Sequence, residues 1–150
     1  MINKYYKKNS KKLFNGPKYT NTQENIELIK NATTYNQLNP YCGVYAIYDN
    51  LNNLIYVGES DNIFRRLKSH MRKAKNIENV GKGSIFCRHV KDEIIRKKNI
   101  SGNELLKTYN RFKNTIKFQF LLLDYGRKEL EEYIIDNYRP TFNLKSVKIQ

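Results

Sequence analysis

Five side chains carry the types and spacings that phosphodiester hydrolysis would use: Tyr45, Tyr56, Arg66, His70 and Glu131. That reaction needs an activated water, positive charge against the pentacoordinate phosphate, and help for the leaving oxygen. Glu131 is the sharpest signal. In helical projection Leu130, Ile134, Ile135 and Tyr138 form an apolar face, and Glu131 falls inside it, whereas Glu132 points about 100° further round, toward water. Burying a lone carboxylate costs several kcal/mol unless a cation or hydrogen bonds compensate it. A hard divalent cation shared with waters and a substrate phosphate is one compensation; a boundary glutamate paired with a nearby Arg or Lys is the plainer one. Arg66 and His70 stand at i and i+4, hence on one helix face, at the edge of an Ile63–Leu67–Met71 stripe. An always-charged fork suits a phosphate or its transition state, and a histidine can exchange a proton near neutral pH. Tyr45 and Tyr56 become general-base candidates only if cations depress their pKa from about 10.

The elements that must position these groups are legible in outline. Gly43–Asp49 and Leu54–Gly58 are β-like runs around the turn-rich DNLNN, which predicts an antiparallel hairpin. Pairing Asp49 with Asn52 places Tyr45 opposite Tyr56, both rings on one face; a longer loop in the same register is equally open. Ser60 is the expected cap of the following helix, with Asp61 in its first turn and Ile63, Leu67, Met71 and Ala74 as its buried stripe. Arg65, Lys68, Arg72 and Lys73 on that helix, with Arg88 on the next, are candidate contacts to substrate phosphates; a solvated basic face is the competing reading of Arg65, Lys68 and Lys73. Further helices are expected at 22–32 (Thr22 as cap; Ile26, Leu28 and Ile29 buried), 84–98 (Phe86, Val90 and Ile94 inward), 103–112 and about 127–137, and a third strand at Ile116–Asp124. Asn39-Pro40 punctuates the chain before the first strand. The order implies an α/β or α+β sandwich on an antiparallel sheet.

Length and composition bound the rest. With 150 residues the chain has room for one core. A net charge of +14 attracts polyanions, of which nucleic acid is the commonest. Abundant Asn, Ile and Tyr suggest that AT-rich coding supplies many of the lysines, but it does not explain so few acids. Residues 1–20 carry Lys4, Lys7, Lys8, Lys11, Lys12 and Lys18, no acid, and the interleaved rings Tyr5, Tyr6, Phe14 and Tyr19. Such an arm either neutralises phosphates and stacks on bases, or is a solvated tail. No secretory leader and no apolar stretch of membrane-spanning length is present, and Cys42 and Cys87 lack metal-ligand spacing. A soluble intracellular protein, cytoplasmic and with free thiols, is expected.

GVY at 43–45 and YVG at 56–58 resemble the paired tripeptides of the GIY-YIG nucleases, with the interval of that family between them. Arg66, ten residues after Tyr56, matches the family arginine, and His70 a histidine found in several subfamilies. Glu131, followed by Ile134-Ile135 and then Pro140-Thr141-Phe142-Asn143, matches the metal-binding glutamate and the Pro-x-x-Asn element. Val44 and Val57 replace the eponymous isoleucines. The similarity covers about 43–76 and 116–143; residues 1–40 and a helical insertion at about 81–112 fall outside it. It implies a three-stranded antiparallel sheet flanked by helices in a nuclease domain of residues 41–150. It further implies a Mg²⁺ or Mn²⁺ ion on Glu131, and Asn143 as a structural or substrate-orienting residue.

Many members of the family borrow specificity from a separate domain. This chain ends seven residues after Asn143 and holds no cysteine cluster for zinc. The expectation is therefore a stand-alone restriction-type or phage/mobile-element endonuclease, finding DNA with its own arm and insertion. It would cut duplex DNA at a defined sequence, as a homodimer, since one small site cuts one strand. A structure-specific or weakly specific nuclease is the alternative within the class, and a non-catalytic DNA-binding module the alternative outside it. No RNP-type or GXXG motif supports an RNA-binding protein.

Overall fold

The run GVYAIY is apolar at nearly every position, the pattern of a strand covered on both faces, and every residue of Gly43–Tyr48 is buried. This is β2, an interior strand of the sheet in a computed structural model that describes residues 2–32 and 41–143. Among the described residues the order is α1 (Ile2–Phe14), β1 (Tyr19–Thr20), α2 (Gln23–Ala32), β2 (Gly43–Tyr48), β3 (Leu54–Ser60), α3 (Ile63–Met71), a 3₁₀ turn (Ile77–Asn79), α4 (Ile85–Lys98), α5 (Gly102–Thr115), β4 (Lys117–Leu122) and α6 (Arg127–Tyr138). Asn39-Pro40 lies outside the described residues. No described helix is long and apolar enough to cross a membrane.

The sheet is antiparallel in the order β1-β4-β2-β3 and has four strands, not the expected three. The extra strand is a two-residue edge, Tyr19 opposite Phe118 and Thr20 opposite Lys117. So short a run carries no periodicity; its partner makes it a strand.

The hairpin register also differs from expectation. Tyr45 lies opposite Gly58, and Ile47 opposite Tyr56. The turn explains the slip: Asp49 N–H donates to Asn53 O, the Asp49 carboxylate accepts from Leu51 N and Asn53 N, and Asn52 takes φ 64°. A bulge between Ile47 and Tyr48 follows. Because the shift is by two residues, both tyrosines keep the same face.

Helices cover both faces. On one, Tyr45, Ile47 and Phe118 pack with Ile26 and Ile29 of α2, Ile63, Leu67 and Met71 of α3, Phe86 and Val90 of α4, and Leu105 and Tyr109 of α5. On the other, Val44, Ala46, Tyr48 and Val57 pack with Leu13 of α1 and with Leu130 and Ile134 of α6. The basic N-terminal segment is thus a helix built into the fold, not a solvated tail. Its buried Leu13 anchors it, and the buried Gln119 side chain donates to the Phe14 and Gly16 carbonyls while accepting from Tyr48 Oη.

Local details differ where short polar residues compete for a cap. Asn62, not Ser60, caps α3, its side chain accepting from Arg65 N; Ser60 ends β3 and its hydroxyl accepts from Asn62 N. Thr22 caps α2 as expected, and Ser84 caps α4, its side chain accepting from Cys87 N. Leu28, expected inside, is 59% exposed. On α6, Leu130 and Ile134 are fully buried while Tyr138 is half exposed against Phe14.

Candidate active site

The site forms where β3, the sheet edge, meets α3 on one side and α6 on the other. Tyr45 points from β2 across β3, and glycine is required at its partner position. A Cβ on Gly58 would lie 2.3 Å from Tyr45 Oη, so the last residue of YVG leaves the space that the first tyrosine fills. The hydroxyl ends 2.6 Å from His70 Nε2. His70 sits in the last turn of α3, 2% exposed, and its Nδ1 lies 2.9 Å from Ser84 Oγ at the start of α4. The Tyr56 ring completes the cluster, 6.4 Å from Tyr45, 5.4 Å from His70 and 5.3 Å from Phe86 between centroids.

The electrostatics define resting protonation states. Burial raises Tyr45 well above its ordinary value, as do Tyr56, Glu131 and Glu59, with Arg66 opposing. Tyr56 is raised by burial and Glu131, again against Arg66. Burial, with Lys113 and Arg66, pushes His70 down to about 3. The resting pair is therefore a phenol against a neutral imidazole.

Glu131 is half-buried, as its place in the apolar sector predicts, and Glu132 is exposed. Burial pushes the Glu131 carboxyl up to about 7; Glu59 and Glu132 add repulsion, while a hydrogen bond to the Glu59 backbone and the Arg66 charge oppose it. Glu59 is itself drawn toward Arg127, 3.9 Å away, whose guanidinium also donates to Ser60 O. Arg66, exposed on α3, acts on Tyr45, Tyr56, His70 and Glu131 together. A partly desolvated carboxylate with two others near it is short of positive charge, and that is the donor chemistry a hard cation fits. Among the described residues no group of three ligating side chains exists, so such an ion would take one carboxylate and fill its other positions with water and phosphate oxygen.

The remaining predicted residues divide. Arg65, Lys68, Arg72 and Lys73 are exposed on or just beyond α3, and Arg65 makes a surface ion pair with Asp61 at 3.7 Å. Adjoining concavities run beside α3. Arg72 and Lys73 line one with Lys75 and Lys82 and a second with Lys68 and Asn21, and Lys68 continues into a third with Lys30 and Arg65. Arg88 is exposed on α4. Asn143 is buried, and both ends of its amide are engaged by the β3 edge: Oδ1 accepts from Val57 N at 2.7 Å and Nδ2 donates to Val57 O at 2.8 Å. These two bonds tie the segment after α6 to the backbone of β3.

Sequence reasoning missed Ser84 behind His70 and the fully buried Lys113 behind both. Lys113 carried a readable signal, since it continues the buried stripe of Leu105 and Tyr109 at helical spacing, just as Glu131 interrupts one on α6. Ser84 gave none beyond its capping position.

Residues 41–145 match the family described as the GIY-YIG catalytic domain. No curated protein and no solved structure matches the chain.

Proposed function

The chain belongs to the GIY-YIG family, a family of nucleases, and on that premise we propose that it is a divalent-metal-dependent endonuclease that hydrolyses duplex DNA at a defined sequence. The observation that carries the reading is the convergence of the Tyr45–His70 pair, Arg66 and Glu131 at one edge of the sheet. Glu131 would hold Mg²⁺ or Mn²⁺. When bound, such an ion supplies positive charge at the scissile phosphate and favours the ionised forms of the groups around it.

The chain's own residues do the rest. Tyr45 Oη takes a proton from the attacking water while its own proton passes to His70 Nε2, giving an imidazolium and leaving Tyr45 a phenol. Tyr45 is assigned this part over Tyr56 because its hydroxyl is the one held against an acceptor, 2.6 Å away. Arg66 offsets charge on the phosphorane, and Tyr56, beside His70, orients a phosphate oxygen or the water. Arg65, Lys68, Arg72, Lys73 and Arg88 neutralise backbone phosphates. One such site cuts one strand, so double-strand cleavage brings two copies to the DNA.

The test is incubation of supercoiled plasmid and long linear DNA with wild type and Glu131→Ala, with and without Mg²⁺. Discrete fragments, lost in EDTA and in the variant, are expected. A smear would replace sequence specificity with weak specificity. Binding without any cleavage, on plasmid and on branched substrates, would make the chain a DNA-binding module. Cleavage surviving Glu131→Ala would remove the metal from that residue.

A further inference from the structure

The buried Lys113 finds its partner inside the fold, the Cys87 sulfur 3.0 Å away. Five lysines of α1 do not. Lys4, Lys7, Lys8, Lys11 and Lys12 are all exposed, and at about 100° per residue they share one arc of about 140° that holds no other residue of the helix. The opposite side is fixed to the protein. Asn9, Ser10 and Leu13 are buried, the Tyr6 and Phe14 rings lie 5.8 and 4.7 Å from those of Tyr133 and Tyr138 on α6, and Tyr5 Oη donates to Tyr125 O.

Nothing in the helix itself accounts for the lysine face. α1 contains no acid, and its first turn, where the helix dipole disfavours cations, holds Lys4. Lys4–Lys8, Lys7–Lys11 and Lys8–Lys12 are like charges at i and i+4, which repel. Among the described residues none of the five forms an ion pair with a carboxylate. Asp136 of α6 borders one concavity with Lys4 and Lys7, and Lys8, Lys11 and Lys12 have no part in it. Mutually repelling charges on a rigid support are matched by a polyanion from outside.

The face also selects among polyanions. With no apolar side chain in the arc, it has nothing to bury in a lipid surface. With Tyr6 and Phe14 turned into the fold, it lacks the rings on which unpaired bases stack. What remains is positive charge along about 12 Å of helix, a length over which a duplex carries about seven phosphates.

Its place in the fold separates it from the cleavage site. α1 and α6 pack on one face of the sheet, whereas α3, with its basic concavities, packs on the other. α6 covers β3 and β2, and α1 covers β2 and β4. α6 therefore stands between α1 and the β3 edge, presenting exposed Glu129, Glu132 and Asp136 alongside Lys128. A straight duplex seated at the β3 edge and on the α3 concavities has the sheet and helix layers, each helix about 10 Å thick, between it and the α1 lysines.

We propose that the lysine face of α1 is a second duplex-binding surface, which holds one stretch of DNA by its phosphates, without regard to sequence, while the β3 edge engages another. The part played by the β3 edge rests on the nuclease reading; the binding at α1 does not. Holding one stretch of a long molecule raises the effective concentration of the rest at the cleavage site.

The test is sedimentation of the full chain with a fluorescent duplex of about 12 bp, titrated to saturation in EDTA at moderate salt. Wild type is compared with the triple variant Lys8→Gln, Lys11→Gln, Lys12→Gln. A control, Lys97→Gln, Lys98→Gln, Lys107→Gln, removes the same charge from α4 and α5. All six side chains are exposed, so both variants keep their cores. Wild type and control are expected to carry two duplexes per chain and the α1 variant one. The affinity for the duplex that the α1 variant loses should fall with log salt at a slope of about 3 to 4, near 0.9 for each phosphate contact. One duplex per chain on wild type and on the α1 variant would overturn the proposal and make the lysines a solvated face. One on wild type and none on the α1 variant would also overturn it, leaving α1 as the sole DNA contact and removing the α3 contacts. Loss of the second duplex from the control as well would trace it to net charge instead of α1, and overturn the proposal too. The expected counts, with no cleavage once Mg²⁺ replaces EDTA, would leave the second surface standing and remove the nuclease reading.

Discussion

Lys113 and Glu131 place charges on the apolar stripes of two helices, α5 and α6, that pack on opposite faces of one sheet. Lys113 is fully buried, yet its ammonium has a sulfur, a backbone carbonyl and two ring faces around it. Glu131 is less deeply placed and less well matched, because Glu59 and Glu132 face it with its own sign while, among the described residues, Arg66 and one backbone hydrogen bond oppose them. A buried charge that its own chain satisfies belongs to the architecture; one left short of countercharge is a place for something from outside. The contrast separates the scaffold of this site from the part that meets metal and substrate.

The largest expected effect breaks the comparison at its open end. Glu131→Gln keeps the shape and removes the charge, and should lower cleavage on the order of 10³-fold or more while DNA affinity without metal holds or improves. Single-turnover cleavage beside a binding titration measures both. A variant that cuts within about tenfold of wild type would mean that Glu131 is an ordinary boundary carboxylate.

The closed end behaves differently. Removing one member of a buried pair leaves the other unmatched and costs about 3–5 kcal/mol, whereas replacing both with apolar groups is often nearly neutral. Lys113→Met should therefore destabilise by about 3 kcal/mol or more, and Lys113→Met combined with Cys87→Val should recover most of it. Urea unfolding of the two variants decides; a double variant as unstable as the single would show that Cys87 is not the countercharge.

Which of these features could be read in advance follows from what each depends on. Tyr45, Tyr56, Arg66 and Glu131 are legible because local periodicity places them, two on strands and two on helix faces. Gly58 is legible as a letter of a tripeptide, but the reason for it, a 2.3 Å approach to Tyr45 Oη, depends on a register that the Asp49 turn sets and no periodicity gives. β1 is two residues long and exists because β4 is beside it. Helix α1 sets eight polar residues beside its one leucine, and packing against α6 with the Gln119 bonds is what shows that Leu13 belongs to the core. Ser84 and Cys87 meet His70 through the 81–112 segment, whose place on the sheet is a tertiary fact.

The pH dependence of stability sharpens the comparison further. In metal-free buffer Glu131 titrates near 7 in the folded chain, against an ordinary carboxyl value of 4.5. The folded state thus holds its proton more tightly, and the stability tied to that proton is complete below about pH 4.5 and lost as pH rises to about 7. Glu131→Gln should therefore be more stable than wild type at pH 8, by about 1–2 kcal/mol after allowing for solvent screening, and equal to it at pH 4. His70 has the opposite sign. Its folded value near 3 lies below the ordinary 6.5, so its contribution is complete above pH 6.5 and lost as pH falls toward 3. Thermal melts across pH 4–8 separate the two, and a Glu131→Gln advantage that does not change with pH would place its cause in packing instead of charge.

The smallest effects belong to charges that neither region buries. Arg72 and Lys73 are exposed and share two of the basic concavities beside α3, so neutralising either should leave stability within about 0.5 kcal/mol of wild type. If each contacts a duplex phosphate, Arg72→Gln and Lys73→Gln should weaken binding a few-fold at moderate salt and reduce the slope of log affinity against log salt by about 0.9 apiece. Arg65, drawn 3.7 Å from Asp61, should change the slope less, because part of its charge is already answered. Affinities at three salt concentrations measure this ordering. Equal slopes for wild type and all three variants would move the DNA off the α3 face, toward the exposed lysines of α1 or Arg88 of α4, while leaving the contrast between Lys113 and Glu131 untouched.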